Sequence, residues 1–261
     1  MSLLDDKKGI VFGVANDRSY AWFIAKALID HGATCAFTHL PDDKGKMERR
    51  CRQAVQELGV SDPWLAPCDV SSDDDLDATF KKLGEDMGDI DFVIHSVAFA
   101  DRQYLQPGNF HTTSRAAWQQ ALDTSAYSLV AIAQRAMKLM PNGGSMLAMT
   151  YYGGEKVVPG YNIMGVAKAA LEHSARYLAG DLGEKNIRVN TISGGPLRTL
   201  AASAVGGISE MFEHQERKAP LKRNITGEEV GNTAVYLVSD LSTGVTGETI
   251  HVDAGFSIVG L

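Results

Sequence analysis

Apolar runs alternate with amphipathic stretches from one end of the chain to the other. IVFGV, CAFTHL, FVIHSVA, MLAMT and VNTIS are almost wholly apolar, as strands covered on both faces of a sheet must be. The pattern predicts strands at 8–14, 33–40, 64–70, 91–98, 145–150, 188–193 and 248–253. Between them, helical periodicity predicts helices at 19–31, 46–58, 73–87, 116–140, 161–182 and 227–239. Strict alternation of strand and helix gives a parallel sheet with right-handed crossovers. The expected fold class is α/β: one doubly wound domain over 1–261, with seven parallel strands and helices on both faces. No repeat, low-complexity tract or linker divides it.

Two segments break the alternation. Residues 101–115 follow the fourth strand and 194–223 follow the sixth. Both lie at carboxyl ends of strands, where open parallel sheets bind ligands. Long loops at such places often close over a site, so a substrate-binding lid is expected at about 196–217.

Bulk properties narrow the function. The 261 residues carry a net charge of −7, against the basic face that nucleic acid requires. There is no apolar run of membrane length, and MSLLDDKKGIVFG enters a strand directly, so no cleavable leader is expected. Cys35, Cys51 and Cys68 lack metal spacing and read as free thiols of a reducing cytoplasm. Asp73, Asp74 and Asp75 open a helix and suit its dipole, so no metal is expected there. His95, inside an apolar strand, reads as a core histidine; Trp64, Trp118 and residues 137–140 read as packing.

A dinucleotide signal lies along the strand ends. The first strand leaves through Gly13, and Ala15, Ser19 and Ala21 keep the following turn small. The backbone there can approach a pyrophosphate seated on helix amides. Asp69 and Val70 in CDV are placed for an adenine. SVA, with Val97, admits a ribose. Pro196, Leu197 and Thr199 in GGPLRT are placed for a nicotinamide carboxamide. Together these make the domain Rossmann-type. The second strand ends in THLPDDKGK, with neither an acid for a 2′-hydroxyl nor an arginine for a 2′-phosphate at its tip. His39 and Leu40 stand nearest, and Asp42 and Asp43 offset Lys44 and Lys46, which favours NADH over NADPH.

The stretch YYGGEKVVPGYNIMGVAK, residues 151–168, carries the candidate chemistry. The position four before Lys168 is Met164, and the nearest tyrosine, Tyr161, stands seven before it. With SYAW, IAKAL, HSVAFA, RVNTIS and GETIHVDAGFSI, this pattern resembles the short-chain dehydrogenase/reductases over the whole chain. Within them it is most similar to the bacterial NADH-dependent enoyl-acyl carrier protein reductases. The resemblance implies that Tyr161 donates to the substrate, that Lys168 holds the nicotinamide ribose and that Tyr151 is the second active-site tyrosine. From the residues alone, at most one of Tyr151 and Tyr152 lines the cleft, since strand neighbours point oppositely. Gly13, Ser19, Tyr20, Leu40, Asp69, Val70, Val97, Leu197, Arg198, Thr199, Leu200 and Ala201 would line the NADH site. Ala100, Met164, Ile208 and Met211, with Tyr151 and Tyr161, would form an apolar acyl pocket. The implied partner is an acyl carrier protein, and the implied assembly a homotetramer built on helices 116–140 and 161–182. Arg217, Lys218, Lys222 and Arg223 offer a basic patch for that acidic carrier. Three positions depart from the family pattern: Tyr20 stands for isoleucine, Phe23 for glycine and Leu40 for a polar residue.

The spacing suits the chemistry. Hydride delivered to the β-carbon of a conjugated thioester puts charge on an oxygen two carbons away, so the stabilising group must be displaced from the hydride acceptor. Seven residues at 100° return nearly to one helix face, with about 10 Å of rise between the two groups. Lys168 leans toward the helix N-terminus and is expected to lower a nearby phenol's pKa. The rival readings are a carbonyl-reducing relative, which Met164 opposes, and a catalytically silent dinucleotide sensor, which the joint presence of Tyr151, Tyr161 and Lys168 opposes.

Overall fold

A computed structural model describes residues 2–199 and 208–260, the side chain of Ile208 excepted. Seven strands form one sheet: β1 (Lys8–Phe12), β2 (Thr34–His39), β3 (Leu65–Pro67), β4 (Phe92–His95), β5 (Gly144–Thr150), β6 (Ile187–Gly194) and β7 (Thr249–Val252). Their order is β3-β2-β1-β4-β5-β6-β7 and every pair is parallel. The chain winds outward from β1 to β3, then returns to β4 on the other side of β1. That reversal opens a crevice at the carboxyl ends of β1 and β4.

Strand residues alternate between two apolar layers. Val11, Phe37, Ile94, Leu147 and Ile192 pack against α1 (Tyr20–Asp30), α2 (Lys46–Gln56) and α8 (Gly227–Val238). Ile10, Phe12, Val93, Met146 and Val189 pack against α3 (Asp73–Met87), α5 (Ser128–Ala136) and α6 (Asn162–Leu182). Side chains that satisfy the first free amides set the helix starts. Ser19 caps α1, Ser72 caps α3, and Thr226 with Glu229 forms a capping box on α8.

Several expected boundaries move, each for a local reason. The helix expected over 116–140 is interrupted: α4 (Arg115–Leu122) passes through a π turn, Asp123–Tyr127, into α5. Ser125 accounts for the turn, because its hydroxyl donates to Phe99 O at 3.1 Å and accepts from Phe99 N at 3.0 Å. The helix expected from 161 begins at Asn162, whose φ is +45°. Its amide donates to Tyr104 O and Gln106 O, both at 2.8 Å, which ties segment 101–115 to the start of α6. Segment 194–223 contains a helix that the pattern left inside a loop, α7 (Ile208–Lys218), with Phe212 and Gln215 buried on one side.

The departure at Phe23 alters one helix pair. Its ring lies on Gly227 of α8, where an added Cβ would come within 2.1 Å of Cδ2. Gly227→Ala ordinarily favours a helix. Here it is expected to destabilise by about 1–3 kcal/mol through overpacking. The same change in a Phe23→Ala background should cost much less, a coupling that thermal melts of the double-mutant cycle would measure.

Candidate active site

The cofactor end is built from close backbone approach. Gly13 has φ +100°, and a Cβ there would lie 2.2 Å from Ser96 O, so glycine lets the β1–α1 turn press against the end of β4. The N-terminus of α1 follows immediately, with the Ser19 hydroxyl accepting from Trp22 N at 3.3 Å. Val70 is buried and Val97 half-buried beside this turn's strands. One carboxylate oxygen of Asp69 accepts from Ser71 N at 2.9 Å and Ser71 Oγ at 2.6 Å, which fixes the turn after β3. At the end of β2, Leu40 is exposed, as are Lys44 and Lys46. Asp42 is occupied in accepting from Lys46 N and Met47 N at the start of α2. A glycine cradle, a helix N-terminus and small strand ends in one crevice fit a dinucleotide.

β6 ends at buried Gly194, and the chain continues through buried Gly195 and Pro196 to half-buried Leu197 and Thr199. Thr199 N donates to Leu197 O at 2.7 Å. Arg198 is exposed, its guanidinium 4.7 Å above the Phe212 ring of α7. Leu200 and Ala201 lie outside the described residues, as does the Ile208 side chain; Met211 is half-buried on α7.

At the end of β5 the tyrosines separate. The Tyr151 ring packs edge-on against Tyr161, with centroids 4.8 Å apart and planes at 69°. Tyr152 turns instead to Phe256, at 5.6 Å. Gly153 makes the pair possible, since a Cβ there would stand 2.4 Å from Tyr161 Cδ1. Tyr161 is the N-cap of α6, its carbonyl accepting from Met164 N at 3.0 Å, and the contact with Tyr151 fixes its ring. Ala100, Ile163, Met164 and Ala167 are buried around Tyr161 in one apolar cluster.

Lys168 is buried and donates from Nζ to Met149 O at 2.7 Å. Burial pulls its pKa down to about 8, with the Glu172 carboxylate one turn later opposing that fall. Glu172 is itself buried, raised by desolvation and held by the Thr150 hydroxyl at 2.6 Å. The phenols run against expectation. Burial pushes both Tyr151 and Tyr161 upward, and Tyr151, Tyr20 and Glu172 raise Tyr161 further, so Lys168 does not lower its pKa. At neutral pH both are hydrogen-bond donors. Glu172 and Gly153 were not read from the sequence as site residues. The i,i+4 spacing of Lys168 and Glu172 was the available signal.

His95 is a core group, as expected. Its Nε2 lies 2.7 Å from Ser128 Oγ, and burial lowers its pKa to about 3, which keeps it neutral. Among the described residues no cluster of histidine, cysteine and carboxylate groups could hold a metal. The three cysteines are free and buried, with thiols raised to between about 11 and 12 by desolvation.

Comparison with known proteins gives the family and supports the fold. The family model described as Enoyl-(Acyl carrier protein) reductase matches residues 13–257. The chain belongs to that family. It is 49% identical to the enoyl-[acyl-carrier-protein] reductase [NADH] FabI of Nostoc sp., over 99% of each chain. It is 48% identical to the enoyl-[acyl-carrier-protein] reductase [NADPH] FabI of Staphylococcus aureus, over 98% of each. The crystal structure of the Bacillus cereus enoyl-acyl carrier protein reductase with NADP+ and indole naphthyridinone superposes with a TM-score of 0.96 at 49% identity, covering both chains fully. Within this family of reductases the Tyr20 departure has a visible consequence: its hydroxyl reaches across the crevice and donates to Gly195 O.

Proposed function

We propose that this chain reduces the trans-2 double bond of enoyl-acyl carrier protein thioesters with NADH, the last step of the bacterial fatty-acid elongation cycle. One observation carries the reading. Tyr151 and Tyr161 meet at 4.8 Å at the mouth of an apolar cluster, while Met164, not tyrosine, stands four residues before Lys168. When bound, NADH supplies the hydride that goes to the β-carbon. Tyr161, protonated because it is buried, donates to the thioester oxygen as negative charge moves there. Tyr151 braces that ring. Lys168, held at the end of β5 by the Met149 carbonyl, would present a positive charge to the nicotinamide ribose. The α-carbon then takes a proton and the saturated thioester leaves. Ala100 and Met164, with Met211 of α7, wall the acyl chain; Gln215 Nε2 anchors α7 to Asp253 O at 3.1 Å.

NADH is favoured over NADPH because exposed Leu40 offers no partner to a 2′-phosphate. The carrier docks on the basic patch beside α7. Arg223 is paired with Glu229 at 2.6 and 2.9 Å, so the patch that remains is Arg217, Lys218 and Lys222. Charge reversal of Lys218 and Lys222 is expected to raise KM for a carrier-bound enoyl substrate about ten-fold. KM for the coenzyme A thioester should stay unchanged; equal effects on both would remove the docking assignment. A homotetramer through α4, α5 and α6 accounts for exposed Trp118, Tyr127 and Tyr177 on those helices and the turn between them. Among the described residues no helix is long and apolar enough to cross a membrane, and a cytoplasmic location suits the three free thiols.

The decisive product test uses 4-deuterated NADH and a trans-2-enoyl thioester. Mass spectrometry and NMR should find deuterium at the β-carbon of a saturated product. No saturated product, or deuterium at another carbon, would overturn the proposal.

A further inference from the structure

Tyr20 opens α1, at the pyrophosphate end of the crevice, yet its side chain belongs to the far end. Its hydroxyl donates to Gly195 O, in the turn that follows β6. Its ring lies on Gly194, where an added Cβ would be 2.9 Å from both Cζ and the hydroxyl oxygen. In the sheet, β4 and β5 separate β1 from β6, so this phenol spans the open carboxyl edge. It also arrives beside the catalytic tyrosines: desolvation and then Tyr151 raise its pKa, and Tyr20 in turn raises that of Tyr161. The phenol therefore stays protonated and remains a donor at any working pH.

We propose that Tyr20 is a latch that closes the nicotinamide end of the cleft and competes with the nicotinamide for the Gly194–Gly195 turn. The inference rests on the NADH site assigned above. Gly194 carries no side chain, and Gly195 O stands beside Pro196, Leu197 and Thr199, the residues placed for the carboxamide. In this chain Gly194 is covered by the Tyr20 ring and the Gly195 carbonyl is taken by the Tyr20 hydroxyl. Docking of the nicotinamide therefore requires the side chain to swing away. Affinity is reduced in proportion to the fraction of molecules with the latch open. The adenine end of the cofactor, at Asp69 and Val70, belongs to the β3 side of the sheet, away from the Gly195 carbonyl that this hydroxyl reaches. The latch consequently discriminates between dinucleotides that carry a nicotinamide and those that end at the ribose.

The test compares two probes on the full-length protein, NADH and ADP-ribose, with dissociation constants measured by calorimetry. Tyr20→Phe keeps the ring on Gly194 and loses only the hydroxyl. It should tighten NADH about five-fold, the worth of one neutral hydrogen bond, and leave ADP-ribose unchanged. Tyr20→Ile removes ring and donor together and should tighten NADH further, to about ten-fold. Thermal melts establish that each variant is folded. Weaker or unchanged NADH binding in Tyr20→Phe, or equal changes for both probes, overturns the latch while leaving the cofactor site in place. A wild-type protein that binds neither probe overturns the latch and the cofactor site together.

Discussion

Lys168→Met is expected to weaken NADH binding about ten- to a hundred-fold, the range for hydrogen bonds to a charged group. It should also lower kcat/KM by about three powers of ten, because a fixed charge beside the reacting centre is lost. The ammonium is buried, and its donation to Met149 O sets where the charge stands. Methionine conserves the stem and its packing in α6. The Glu172 left behind has a pKa already raised by burial, so it can protonate and limit damage to the fold. The pH profile supplies an independent reading. Lys168 titrates near 8 in the folded protein, so it is cationic below that value and neutral above it. Binding of an anionic dinucleotide and stabilisation of a developing enolate both want the cation. For the free enzyme, kcat/KM should fall as pH rises through about 8. That limb should vanish in Lys168→Met, leaving a low, flat profile. A variant that keeps both the limb and tight NADH binding would remove Lys168 from the site.

Tyr161→Phe should separate chemistry from binding. The ring stays between Tyr151 and Gly153, so the melting temperature and the NADH dissociation constant should remain at wild-type values. What disappears is one protonated donor aimed where charge develops, and kcat should fall about a hundred-fold. A steady-state assay and a fluorescence titration on the same preparation give both numbers. If kcat held while NADH binding weakened, Tyr161 would be a cofactor residue, and the donor would have to be sought in Tyr151.

Much of this architecture was legible before any coordinates. The apolar strands and the alternation of period two with period 3.6 specify a parallel doubly wound sheet, because only strands buried on both faces can be so uniformly apolar. Gly13, Asp69, Val97 and GGPLRT mark its carboxyl edge for the same reason: the topology delivers every strand end to one side. What escaped notice depends on contacts between distant segments. The π turn at 123–127 exists because Ser125 bonds to Phe99, and nothing in the local periodicity reports that bond. Helix α7 was hidden by the glycines and proline that surround it. The choice between Tyr151 and Tyr152 depended on Gly153, whose missing side chain admits the Tyr161 ring. The phenol pKa follows desolvation, which the sequence pattern does not report, and not the nearby lysine charge, which it does. Phe23 and Tyr20 were visible as departures, but their partners, Gly227 and Gly195, are more than a hundred residues away.

The central claim is that the Tyr161–Met164–Lys168 register commits the site to carbon–carbon double bonds and not to carbonyls. The most direct measurement follows NADH oxidation by the wild-type enzyme with crotonyl and acetoacetyl thioesters of the same carrier, beside a control without substrate. The account predicts turnover of crotonyl thioester, and acetoacetyl thioester indistinguishable from the control. Comparable oxidation with acetoacetyl thioester would contradict it.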